Sequence, residues 1–300
     1  MVKKLNFDNL VKYKLNPMKS KLNLLPLLVL GIFLIPSCMH FNKHHEKSDE
    51  SEYSEEFESS DSSSNTDSKY RYETRVLKLE KAEKAKMDLN IPAGYFIVKG
   101  GSNNLLEGKF KYRKNERNLV VSNSVDEKGN AEVLVDMKKH FHNDIHNEKT
   151  AASISLNNSI PIDLELSFGA GEGKFDFRNT NLQTAKFELG AGDFEIFLGQ
   201  TSLSHLEVNA GVGKGRIDLS GQWKQDLNAE FSCGVGELIL ILPSSIAVQV
   251  EVNGGLGEVD HHGLDKDGHI YTNKVPDNKG LKMNITVNGG IGKVELRVQE

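Results

Sequence analysis

A Gly-x-Gly motif recurs six times in the second half of this 300-residue chain: Gly169-Ala170-Gly171, Gly190-Ala191-Gly192, Gly211-Val212-Gly213, Gly234-Val235-Gly236, Gly255-Leu256-Gly257 and Gly290-Ile291-Gly292. The second glycines are spaced by 21, 21, 23, 21 and 35 residues. A period of that size restricts the chain to folds in which like units stack on their neighbours, since one such unit cannot bury its apolar face alone. With the second glycine as position zero, apolar residues fall at −7, −5, −3 and −1, as in Leu164, Leu166, Phe168 and Ala170, or Ile285, Val287, Gly289 and Ile291. After it they fall at +2, +4 and +6, as in Phe194, Ile196 and Leu198, or Leu238, Leu240 and Leu242.

Each half alternates with period two, the pattern of a half-buried strand. The halves are out of phase by one residue, and a β-bulge at a glycine with positive φ absorbs such a slip. Each repeat is therefore expected to be a bent strand with its elbow at Gly171, Gly192, Gly213, Gly236, Gly257 or Gly292, followed by a short polar linker. Leu182, Leu203, Trp223 and Ile246 are lone apolar residues in four linkers and are expected to plug the core. A seventh, degenerate copy lies upstream: Met87, Leu89, Ile91 and Ala93 precede Gly94, with Phe96 and Val98 after it, Leu105 as plug and Pro92 in the first glycine's place. That departure suits an end coil. Between 118 and 137, Leu119-Val120-Val121 and Val133-Leu134-Val135 flank a turn at Asp126–Asn130 and predict a hairpin. The expected fold is all-β: a single-stranded, right-handed β-solenoid-like repeat domain of about seven 21-residue coils over 72–300, with an antiparallel meander as the alternative.

The N-terminal third points to an address. Leu24 to Ile35 is an apolar run after Lys19 and Lys21. It is shorter than the roughly 20 residues of a membrane span and matches a signal-peptide core. Ile35-Pro36-Ser37-Cys38 resembles the lipobox of bacterial lipoproteins, which implies a signal peptide over 1–37 (with Met18 as a possible true start) and acylation of Cys38. Proline at the second place departs from the usual box, and a cleaved signal followed by an unmodified cysteine is the alternative. Residues 38–71 hold many Ser, Asp and Glu and few apolar residues, and read as a disordered tether.

Chemical motifs are sparse. The Gly-x-Gly copies lack the third glycine and following helix of a dinucleotide site. They lack the aspartate and the nonapeptide period of calcium-binding glycine repeats. Asp265-Lys266-Asp267-Gly268 opens like an EF-hand loop, but no Glu stands at the twelfth place, and a tight turn is expected. His140, His142, Asp144 and His146 would share one face of a strand and form the one weak metal candidate, set against a solvated loop rich in lysine; His261 and His262 are read the same way. Cys233, the second of two cysteines, stands at an inward −3 place and reads as a core residue. The charged +1 residues Glu172, Asp193, Lys214, Glu237, Glu258 and Lys293 read as a solvated ladder. No catalytic constellation, cofactor site or basic nucleic-acid stripe is present in the sequence.

Ile91-Pro92-Ala93-Gly94, Gly100-Gly101, Leu105 to Phe110, Ser159 to Leu164 and the Gly-Ala-Gly copies together resemble bacterial toast-rack, or adhesin-like, domains of cell-envelope proteins. The C-terminal domains of membrane proteins that respond to cell-wall-active antibiotics are similar too. The resemblance implies a stacked all-β domain at the envelope, with no catalytic residues to carry over. The functional expectation is a lipid-anchored envelope protein, at the outer membrane or on a periplasmic or surface face, that presents a rigid module to a protein or glycan partner and is not an enzyme. A regulatory partner of an envelope-stress sensor and a metal-binding periplasmic protein are the alternatives.

Overall fold

The computed structural model describes residues 69–114, 117–139, 150–275 and 280–299. Within them every regular element is a strand. The five continuous repeat strands are β2 (Lys84–Ser102), β7 (Ile162–Asp176), β8 (Leu182–Phe197), β9 (His205–Asp218) and β10 (Leu227–Pro243). They stack in parallel, in sequence order, with Gly94, Gly171, Gly192, Gly213 and Gly236 in register. The parallel solenoid is thus the architecture, and the antiparallel meander is not.

The order changes at the far end. The next strand in space is the last in sequence, β15 (Lys282–Gln299), which pairs in parallel with β10 through Gly236 and Gly292. On its other side lie β11 (Ala247–Asn253) and β12 (Leu256–His262), the two arms of the fifth copy, with Gly257 against Gly292. The fifth and sixth copies have therefore exchanged places. The 14 residues that lengthen the final spacing from 21 to 35 make this possible. They include the antiparallel hairpin β13 (Leu264–Asp267)–β14 (Ile270–Asn273), which covers the outer edge of β11 through Gln249–Glu251. The Asp265–Gly268 stretch runs along β13 into the hairpin's turn at Gly268-His269, with Gly268 at φ +60°.

At the near end β2 is covered in two pieces. Its first arm pairs with β5 (Asn130–Lys139), the second strand of the expected hairpin with β4 (Arg117–Val125), whose Asp126 carboxylate accepts from the Lys128 and Asn130 amides. Its second arm pairs with β6 (Ala151–Asn157), which continues antiparallel into β3 (Leu106–Arg113) and β1 (Tyr70–Leu77). Buried Asn157 ties this cap together by donating from Nδ2 to the carbonyls of Ser102, Asn103 and Asn104.

The core follows the alternation. Positions −7, −5, −3, +2, +4 and +6 are buried through the early coils, and the plugs Leu105, Leu182, Leu203, Trp223 and Ile246 are buried as expected. An aromatic file fills the near half: Phe96–Phe168 ring centroids lie 5.7 Å apart, Phe168–Phe175 6.2 Å and Phe175–Phe187 6.1 Å. At roughly 1.5–3 kcal/mol per fully buried large side chain, this file is a main source of stability.

One expectation fails in the copies at Gly171, Gly192, Gly213, Gly236 and Gly292. Position −1 was assigned inward, yet Ala170 and Ala191 are exposed, and Val212, Val235 and Ile291 are 55%, 49% and 57% exposed. The inward places skip from −3 to +2. The phase slip is spread over the three-residue apex, where the second glycine's positive φ (Gly192 +138°, Gly236 +143°) turns the chain and leaves −2, −1 and zero on the outside. Gly257 departs further. In that coil the positive φ values belong to Gly254 (+71°) and Gly255 (+91°), and the strand is broken there. This is the terminal coil, whose elbow has a neighbour on one side only.

Candidate interaction surface

The apex is the part of the coil that the core does not use. Both glycines of the motif have a steric reason to lack a side chain. A Cβ on Gly192 would lie 1.8 Å from the Gly171 carbonyl oxygen, and one on Gly236 1.8 Å from that of Gly213. A Cβ on Gly190 would lie 2.0 Å from the Gly169 oxygen, so the first glycines form a second bare column beside the first. Between the two columns stand the x residues: Ala93, Ala170, Ala191, Val212, Val235 and Ile291 in spatial order, with Leu256 in register at the end. At about 4.8 Å per strand, the six coils from Ala93 to Ile291 give an apolar ridge about 24 Å long. Its side chains grow from Ala to Ile along the stack. An ordered row of exposed apolar side chains flanked by polar ones is a recognised mark of an interaction site.

Charged and amide side chains border the ridge. On the second-arm side runs the +1 ladder, in spatial order Glu172, Asp193, Lys214, Glu237, Lys293, Glu258. The exchange of the last two coils sets Lys293 between Glu237 and Glu258, where sequence order would have left two glutamates adjacent. Lys214 Nζ lies 3.0 Å from Glu237, and the Lys214 amide donates to Asp193 at 3.3 Å. Lys293 Nζ lies 2.7 Å from Asp260. That hydrogen bond raises the lysine's pKa and lowers the aspartate's.

On the first-arm side, Asn209 Nδ2 donates to Glu188 (3.0 Å) and Glu207 (2.7 Å), Lys186 bridges Glu188 and Glu207 at 3.0 and 3.1 Å, and Asn288 donates to Glu230 at 2.9 Å. This face carries Asp88, Glu165, Glu207, Glu230 and Glu251 in one row, broken by Lys186 and by Thr286 between Glu230 and Glu251. Burial first, and then the neighbouring Glu165, raise the Asp88 carboxyl above the usual range.

This surface can hold a partner by shape and charge. Among the described residues no group of three or more His, Cys, Asp or Glu is placed to hold a metal ion. His261 Nδ1 faces the Leu264 carbonyl at 3.2 Å and its ring packs on Tyr271, while His262 Nε2 lies 4.0 Å from Glu295. Cys38 and the cluster His140, His142, Asp144 and His146 lie outside the described residues. Sequence reasoning missed the ridge because it counted the x residues into the core. The signal that would have found them is their company: a side chain between two glycines that each abut a neighbouring backbone has no room to point inward.

The sequence model of one family, the N-terminal domain of toast_rack, matches residues 59–204 and 186–241, together more than half of the chain. A solved structure of a candidate cell adhesion protein from Clostridium sporogenes ATCC 15579 is 27% identical, with a TM-score of 0.58 over 77% of this chain and 100% of that one. A candidate adhesin from Bacteroides fragilis NCTC 9343 is 10% identical, with a TM-score of 0.27 over 75% of this chain and 97% of that one. One from Parabacteroides merdae ATCC 43184 is 10% identical, with a TM-score of 0.23 over 76% and 97%. A search of curated proteins found no match.

Proposed function

Because the chain belongs to the family of the toast_rack N-terminal domain, we propose that it is an adhesin-like binding module of the cell envelope, held to a membrane by a lipid on Cys38 and without catalytic activity. The observation that carries this reading is the exposed ridge at Val212, Val235 and Ile291. Three neighbouring coils place large apolar side chains in water, on a backbone whose register is fixed by the glycine columns. Rigid aliphatic anchors lose little entropy on binding, and the bordering charges choose the partner and its orientation. The 27% identical relative, described as a candidate cell adhesion protein, supports the same reading. The acidic, serine-rich sequence between Cys38 and β1 would then set the module's reach from the bilayer.

The test compares full-length chain with a Val212→Lys/Val235→Lys/Ile291→Lys variant, both in liposomes, for cosedimentation with intact envelopes. A loss of at least about tenfold in bound fraction, with an unchanged β-type circular dichroism spectrum, is expected. Equal binding by the folded variant refutes the ridge as the binding surface. Labelled palmitate should enter the wild-type chain in cells and not Cys38→Ala, and incorporation into both would refute the anchor.

A further inference from the structure

The inside of the elbow changes along the stack in a way the ridge does not use. In spatial order the inward −3 residues are Ile91, Phe168, Leu189, Ala210, Cys233, Gly289 and Gly254. The first three are 2%, 2% and 3% exposed; Ala210, Cys233 and Gly289 are only half-buried. On the facing arm the +2 residues over the same coils are Gly215, buried Leu238 and half-buried Val294, and the Phe194 ring fills the space beside Gly215. The space left is a cavity of about 60 Å³ beneath the apex of β9, β10, β15 and β11–β12. Phe194, Val208, Ile217, Leu238 and Val252 line it together with the apex glycines, and Glu237, Glu258 and Lys293 border the same space. Gly289 gives a second view of it: a Cβ there meets no atom nearer than 3.9 Å, whereas one on the adjoining Gly290 would meet the Gly234 oxygen at 1.9 Å. At the far end the coil is broken at Gly254-Gly255, which line the same space.

We infer that this slot is a binding site for the end of an unbranched alkyl chain. It spans four strands, about 14 Å at 4.8 Å per strand. At ~10–15 Å³ per water-sized group, it admits about four to six such groups, a narrow volume for its length. A flexible aliphatic chain fits such a shape; a ring or a branched group does not. Burial raises the Cys233 thiol to about 11, which keeps it neutral near neutral pH. A folded chain that leaves apolar space unfilled forgoes stability with each missing methyl, and the repeat had a Leu available, as Leu189 shows. The alkyl chain belongs either to a free fatty acid or to a phospholipid.

Cys233 reports on occupancy. In full-length chain carrying Cys38→Ala it is the single thiol. Its alkylation by iodoacetamide at pH 9 is measured with sodium decanoate, with dihexanoyl phosphatidylcholine (both below micelle formation) and with adamantane carboxylate. Saturable slowing, about tenfold, by a linear-chain ligand is expected. Decanoate acting alone assigns the free acid, the phospholipid alone assigns a membrane lipid, and both acting assigns the chain itself. Calorimetric binding of the active ligand should vanish in Gly289→Leu, which fills the slot; if that variant does not fold, Ala210→Leu, which restores the residue type of Leu189, serves instead. No protection by either linear ligand, equal protection by adamantane carboxylate, or undiminished binding to a folded filled variant overturns the inference.

Discussion

Replacing Gly192 with Ala tests the glycine columns directly. Its Cβ would stand 1.8 Å from the Gly171 carbonyl oxygen, whereas real Cβ atoms keep at least 3.0 Å, so β7 and β8 must part by about 1.2 Å at the apex (3.0 minus 1.8). Backbone sits on both sides of that contact, and no side-chain rotation relieves it. Holding an L-residue at φ +138° adds roughly 1–3 kcal/mol. Separating the strands sacrifices two ladder hydrogen bonds at about 1 kcal/mol each. The sum is about 3–5 kcal/mol, a large share of the 5–15 kcal/mol that typically holds a domain folded. At roughly 2–4 °C per kcal/mol for a domain of this size, Tm should fall by about 6–20 °C. Gly289→Ala is the matched control: its Cβ enters open space at a φ outside the left-handed region, and removing backbone freedom there should raise Tm by about 1–4 °C. Both are read by scanning calorimetry. If Gly192→Ala melts within about 3 °C of wild type, or Gly289→Ala falls as far as it does, the columns are not held by close backbone approach and the reasoning fails.

Lys293→Glu would set three carboxylates in a row with Glu237 and Glu258 and break the pair with Asp260; Tm should drop by several degrees at low ionic strength and by clearly less in 1 M salt, where charges are screened over about 3 Å. A salt-independent loss would show that packing, not charge order, governs the site. Asp88→Asn should stabilise the protein at pH 7, because burial and Glu165 raise the folded carboxyl's pKa above its unfolded value and its ionisation therefore opposes folding. That advantage should shrink as pH falls through the raised pKa, where the wild-type carboxyl takes up its proton; denaturant titrations at pH 7 and pH 4 check it, and an advantage that grows on acidification refutes the assignment.

The alternation of Leu164, Leu166 and Phe168, and of Phe194, Ile196 and Leu198, was enough to reveal bent strands, since period-two burial and a one-residue slip are properties of the local chain. The elbow glycines and the plugs, Trp223 among them, were legible for the same reason. Neighbour order was not. Copies so alike can pair with one another in any sequence, and what distinguishes the observed order is a relation between distant residues: Lys293 alternates with Glu237 and Glu258 only if β15 enters between β10 and β11–β12. The ridge was hidden by the same locality, because Val212 looks like any strand residue until the Gly190 and Gly192 carbonyls are seen to occupy the space beside its two glycines.

Placing β15 inside the stack separates sequence order from spatial order at the far end of the fold. In a solenoid wound in sequence order, the last coil frays outward with one interface to lose. Here the C-terminal strand is held by ladders on both sides, and freeing it requires both to open. A chain ending before Lys282 would lose an interior coil, not a cap, leaving β11, β12 and the hairpin with no parallel partner. Synthesis must therefore pass β15 before β11 and β12 can close onto the stack, and β15 acts as a latch between them and β10.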